Sequence, residues 1–108
     1  MSIIEKDWKL IRSMKDQKLN DASLRIINKV RSVTKECSNN AHKTYLDMWS
    51  LLKKEDECIS AMFDDIKRSN AIFKLAAWKK YGFLSDEELG EFSQETKEIL
   101  NAITQNNR

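Results

Sequence analysis

The chain predicts an all-α fold, a compact bundle of four to six helices forming one domain over residues 1–108, and three observations carry that expectation. It contains no proline, its two glycines, Gly82 and Gly90, fall in the last third, and apolar side chains recur at intervals of three, four and seven residues. Proline and glycine are the strongest interrupters of helix, so up to residue 81 only polar punctuation is available to end one.

Ser2 followed by Glu5 spells a capping box, in which the serine oxygen takes an orphan amide and the glutamate reaches back to the cap. A first helix is expected there, with Ile4, Trp8, Ile11 and Met14 along one face. Asp16 to Asp21 is polar and offers Asn20 and Asp21 as caps. This predicts a second helix carrying Leu24, Ile27, Val30 and Val33 and ending near Cys37. The chain should then reverse at Ser38, Asn39 and Asn40, whose side chains can hydrogen-bond the backbone in place of a continuing helix.

From Ala41 to Tyr81 the sequence predicts a long third helix. Tyr45, Leu52, Ile59, Ile66 and Phe73 recur at every seventh position, with Met48 or Trp49, Met62 or Phe63, and Ala76 or Ala77 between them. The seam is polar at Glu55 or Asp56 and again at Ser69 or Asn70. A helix of this length would reach roughly 60 Å at about 1.5 Å per residue, whereas a compact domain of about this size is only about 35 Å across. Either the helix breaks near residues 53–57 or 68–70, or it stays whole and a second copy covers the overhang. Both remain open at the level of sequence.

Tyr81-Gly82-Phe83 reads as the stop, with glycine in the left-handed conformation and the phenylalanine folding back on the last turn. Ser85 with Glu88 is a second capping box, opening a short helix to about Glu91. Ser93 caps a last helix whose inner face is Thr96, Ile99 or Leu100, and Ile103, and fraying is expected from Gln105 to Arg108.

Composition narrows the function classes. With 41% hydrophobic and 33% charged residues the chain is too apolar for a disordered segment and too charged for a membrane protein. No apolar run is long enough to cross a bilayer, and acid stands where a signal peptide needs apolar residues, so a cytoplasmic location is expected. Cys37 and Cys58 lie too far apart, with no second pair, to build a metal knuckle or a redox dithiol.

His42 is the single histidine and has no implied orienting carboxylate or nucleophile. The acidic clusters Glu55-Asp56-Glu57 and Asp64-Asp65 lack the Glu-x-x-His pairs of helical di-metal sites, and the isolated glycines make no phosphate-cradling loop. No catalytic, cofactor or metal site is expected, and the protein reads as a non-enzyme.

Two binding modes remain. Residues 71–78 are apolar nearly all round, which suits either a central core helix or one shared with another chain. That motivates a small interaction or regulatory module, homodimeric or bound to a protein partner, with Trp49, Phe63, Ile72, Leu75 and Trp78 as anchors. The alternative is a nucleic-acid accessory protein. Net charge runs +5, −4, +5 and −4 over residues 1–35, 36–66, 67–82 and 83–108. The third block contributes Lys67, Arg68, Lys74, Lys79 and Lys80, interleaved with Phe73, Trp78 and Tyr81. On a helix these five charges scatter over most of the circumference, and opposite blocks could equally satisfy one another within the fold.

Overall fold

The computed structural model describes residues 2–106. Five helices follow one another without strands among the described residues: α1 (Glu5–Thr34), α2 (Ala41–Phe63), α3 (Ala71–Lys80), α4 (Asp86–Gly90) and α5 (Gln94–Asn106). The longest helix is therefore the first and not the third, and the expected boundary at residues 16–21 does not exist. The reason is tertiary. Lys18, in the middle of that polar stretch, is buried and donates to both carboxylate oxygens of Glu88 at 2.7 and 2.6 Å. Asp16, Gln17 and Asn20 are simply carried on the outer surface of a continuing helix.

The start of α1 also departs from expectation. Its first turn is preceded by Ile4 without a side-chain cap, and the Glu5 carboxylate accepts from Arg68 at 2.8 Å instead of folding back on Ser2. Arg68 donates in addition to the Ile3 carbonyl at 2.9 Å, so the entry to α1 is tied to the loop before α3.

The reversal at residues 35–40 falls where Ser38, Asn39 and Asn40 place it, and α2 returns antiparallel to α1. Thr44, Met48, Leu51, Glu55, Cys58 and Met62 are more buried than their neighbours, a four-three alternation that lays one stripe of α2 along Ala22, Ile26, Val30 and Val33 of α1. Lys29 and Glu55, 2.7 Å apart, fix the register.

The long helix expected from Ala41 to Tyr81 breaks at residues 64–70, overlapping the second of the two anticipated positions and leaving 53–57 helical. Asp65 enters the left-handed region at φ 54°. Asn70 holds the turn, its Oδ1 accepting from the Lys67 amide and its Nδ2 donating to the Asp65 carbonyl, both at 2.8 Å.

Beyond the break α3 runs through the centre of the core. Ala71, Ile72, Leu75 and Trp78 are fully buried, and the Trp78 indole donates to the Met62 carbonyl at 2.9 Å while its ring meets Phe63 at 5.8 Å. Gly82 ends the element at φ 82°, and the Phe83 amide returns to the Trp78 carbonyl at 2.8 Å. The Phe83 side chain packs against the core, and its ring lies under the Arg25 guanidinium of α1, 3.8 Å from centroid to charge.

The second capping box forms as read: Ser85 Oγ accepts from the Glu88 amide, and the Glu88 carboxylate from the Ser85 amide. Ser93 Oγ then accepts from the Thr96 amide at the start of α5. Thr96 and Leu100 are buried, and Ile99 and Ile103 pack at the core's edge. The helix continues to Asn106 despite the fraying expected from Gln105; residues 107 and 108 lie outside the described residues. Asp7 locks this end of the chain to its beginning. Its fully buried carboxylate accepts from the Ser93 amide at 3.1 Å, the Ser93 hydroxyl at 2.6 Å and the Thr96 hydroxyl at 2.5 Å.

Candidate interaction surface

Helical geometry assigns two faces to the α1–α2 hairpin. On one lie Arg25 and Lys29 of α1 and Lys54 and Cys58 of α2, which with Tyr81 and Phe83 enclose a cavity of about 200 Å³. The Arg25 guanidinium donates to the Tyr81 carbonyl at 2.5 Å, so the segment after α3 is held on this side. The Tyr81 hydroxyl is pushed above the ordinary tyrosine range, first by hydrogen bonding with the Cys58 thiol and then by desolvation. Two of the cavity's cations are engaged within it, Arg25 with Tyr81 and Phe83, and Lys29 with Glu55.

The opposite face is different. At 100° per residue Ile27 stands about 200° round the helix from Arg25. It is 49% exposed, and on α2 the neighbouring Tyr45, Trp49 and Leu52 are 53, 62 and 41% exposed. A groove on this side is lined by Ile26, Trp49, Leu52, Lys53, Asp56 and Ile59, all of them residues of α1 and α2. Two helices alone leave the outer flanks of their seam in water, and α3–α5 do not reach round to cover this one. Leu24 and Leu46, on the outer edges, are also about half exposed.

Of the five anchors expected from sequence, only Trp49 belongs to this surface. Phe63, Ile72, Leu75 and Trp78 are core residues, at most 5% exposed, and cannot meet a partner without unfolding. The all-round apolar segment 71–78 is accounted for by wrapping: α1, α2 and α5 all pack against α3, leaving only Phe73 exposed among its large apolar side chains. Ile27, by contrast, read as part of a core stripe. The alternation of α1 does not distinguish a flank that a third helix covers from one that it misses.

The basic stretch does not form a continuous surface. Lys67 pairs with Asp65 at 3.3 Å, Arg68 is taken up by Glu5 and the Ile3 carbonyl, and Lys74 donates to the Ala61 and Ser60 carbonyls at 3.1 and 3.4 Å. Lys79 and Lys80 fall in the last turn of α3, where cations complement the helix dipole, with Lys80 over the Tyr81 ring.

His42 stands exposed in the first turn of α2 with its ring stacked on Tyr45, their centroids 6.0 Å apart. Cys37 and Cys58 are free and half-buried. Among the described residues no group of three or more His, Cys, Asp or Glu side chains is placed to hold a metal ion, and no helix is long and apolar enough to cross a membrane. No protein family, curated protein or solved structure matches the chain.

Proposed function

We propose that this chain is a small, non-enzymatic helical interaction module that docks a protein partner on the open face of its α1–α2 hairpin. The observation that carries the proposal is that Ile27, Tyr45, Trp49 and Leu52, four large apolar side chains between 41 and 62% exposed, fall by helical spacing on the side of the hairpin whose groove is lined by α1 and α2 alone. Aromatic and branched aliphatic side chains gathered on one accessible patch mark interaction sites, and tryptophan is the residue most enriched among interface anchors.

The non-enzymatic part rests on how the buried polar groups are used. Asp7 caps α5, Lys18 and Glu88 pair across the core's edge, and the Trp78 indole ties α3 to α2. Each is an architectural bond. The nucleic-acid alternative draws less support, because Arg68 and Lys74 are engaged by backbone carbonyls and Arg68 also by Glu5.

A photo-crosslinking amino acid substituted in turn at Tyr45, Trp49 and Leu52, and irradiated in the native cells, tests the reading. A discrete protein adduct at these positions, lost when Ile27→Asp is added, is expected. Absence of any protein adduct at all three would overturn it.

A further inference from the structure

We propose that the cavity enclosed by α1, α2 and the segment after α3 is a binding site for a small organic monocarboxylate, an acid whose apolar body is about the size of one ring. The cavity opens on the other side of the hairpin from the groove beside Trp49 and shares only Ile26 and Ile59 with it. The site therefore stands apart from the interaction-module reading.

Size sets the first limit on the ligand. The volume is about 200 Å³, and an apolar cavity of about 150 Å³ is enough to take up benzene. One ring with a short acid arm fits, whereas a nucleotide or a peptide does not. The floor is apolar, with Ala22 and Met62 buried and Ile26, Ile59 and Phe83 half-buried. A strongly hydrated ion such as phosphate would give up water against that floor and gain nothing in return.

Charge sets the second limit. Arg25, Lys29 and Lys54 line the cavity against one carboxylate, that of Glu55. Lys29 and Glu55 pair at 2.7 Å and offset each other. Among the described residues Arg25 meets only neutral groups, the Tyr81 carbonyl at 2.5 Å and the Phe83 ring at 3.8 Å, so its contacts fix its position and leave its charge uncompensated. Lys54 is exposed and makes no ion pair among the described residues. The Tyr81 hydroxyl, its pKa raised, stays protonated and adds no negative charge. The wall thus carries a surplus of positive charge above an apolar floor. A guanidinium has five N–H donors and the Tyr81 carbonyl takes one, which leaves others for a carboxylate. An amine would be repelled, and a neutral ring would leave the surplus unmatched.

The site is also preformed. The bond from Arg25 and the left-handed turn at Gly82 hold residues 81–83 against the hairpin, and the pair of Lys29 with Glu55 ties α1 to α2 at the cavity wall. A ligand entering it has little chain to order, which favours binding even of a small molecule.

The test is a titration of the isotopically labelled full-length chain, followed by its amide resonances, with phenylacetate as the probe and phenylacetamide, acetate and inorganic phosphate as comparison arms. Phenylacetate is expected to shift residues 22–29, 54–62 and 81–83 saturably, with a Kd on the order of millimolar for a ligand of about ten non-hydrogen atoms. The three comparison compounds should not saturate at the same concentrations. Lys54→Glu, at an exposed position where the fold is undisturbed, should weaken phenylacetate by about tenfold or more, and Lys54→Gln by less.

No saturable shift up to about 20 mM phenylacetate overturns the proposal, as does an equal response to phenylacetamide, acetate or phosphate. Undiminished binding by Lys54→Glu overturns it too. None of these results bears on the open face of the hairpin, which the photo-adducts test separately.

Discussion

At the scale of single residues the fold is held by a few buried polar groups whose partners lie far away in sequence. Asp7 is the extreme case, because one carboxylate in the first helix satisfies an amide and two hydroxyls at the start of the last one. Asp7→Ala removes the acceptor and leaves Ser93 and Thr96 donors without partners in a dry site; a loss of about 2–4 kcal/mol is expected from urea unfolding. Asp7 belonged to no motif in the sequence, since nothing local connects it to Ser93, 86 positions on. Glu88 was legible as half of a capping box, but its second role was not. Desolvation pushes its carboxyl up, while hydrogen bonds from Lys18 and from the Ser85 amide and hydroxyl more than offset this and hold it below the ordinary glutamate range. A carboxylate depressed in the folded state contributes stability that is fully present above its unfolded value of about 4.3 and is lost as pH falls through the lower folded value. Stability measured from pH 6 downward should therefore fall below about pH 4.3, and Glu88→Gln should be less stable at neutral pH and flatter across that acid range. An unchanged acid profile in Glu88→Gln would show that the pair with Lys18 does not couple to folding.

At the scale of elements, what local chemistry can specify was legible and what depends on a distant neighbour was not. The turn at Ser38–Asn40, the cap at Ser85 and the stop at Gly82 are each written in adjacent residues, and each forms. The division of α1 failed because a run of polar side chains looks the same whether it ends a helix or lies on its wet side; only the Lys18 contact with Glu88 decides. Breaking of the long third helix at 64–70 was half visible, since Ser69 and Asn70 interrupt the seam, while the left-handed residue that begins the turn is an aspartate. Gly82 gives the sharpest test at this scale. At φ 82° an alanine is strained, although its Cβ would meet Arg25 only at an ordinary contact distance of 3.6 Å. Gly82→Ala is therefore expected to cost about 1 kcal/mol through the backbone alone. A cost near zero in thermal unfolding would mean that the α3 terminus rearranges, carrying Phe83 away from Arg25.

At the scale of the whole molecule the same sequence pattern served two ends, and length decided which. The seven-residue stripe from Tyr45 to Phe73 promised more apolar surface than one short chain could hide; Met62 and Phe63 between its repeats are buried, whereas Tyr45, Leu52 and Phe73 are 53, 41 and 55% exposed. The candidate surface was thus legible in Trp49 but misplaced in Ile72, Leu75 and Trp78, because periodicity reports which side chains share a face and not how far the covering helices extend. The cavity between the hairpin and Tyr81 was not legible, because it forms among segments that no local motif connects. Since it exists only when α1, α2 and residues 81–83 are assembled, a carboxylate that fills it binds the folded chain alone, and the stability of the protein depends on ligand concentration. At about ten times its Kd the ligand contributes about 1.4 kcal/mol, which for a domain of this size corresponds to several degrees in Tm. Thermal scans at phenylacetate concentrations rising through Kd should therefore show Tm climbing by several degrees in the wild type, while acetate leaves it flat. Lys54→Glu should show at most about a third of that rise, and Trp49→Glu, on the other side of the hairpin, should keep all of it. A flat Tm in the wild type over the same range, or an equal rise in Lys54→Glu, would leave the cavity as a feature of packing and remove the ligand from the account.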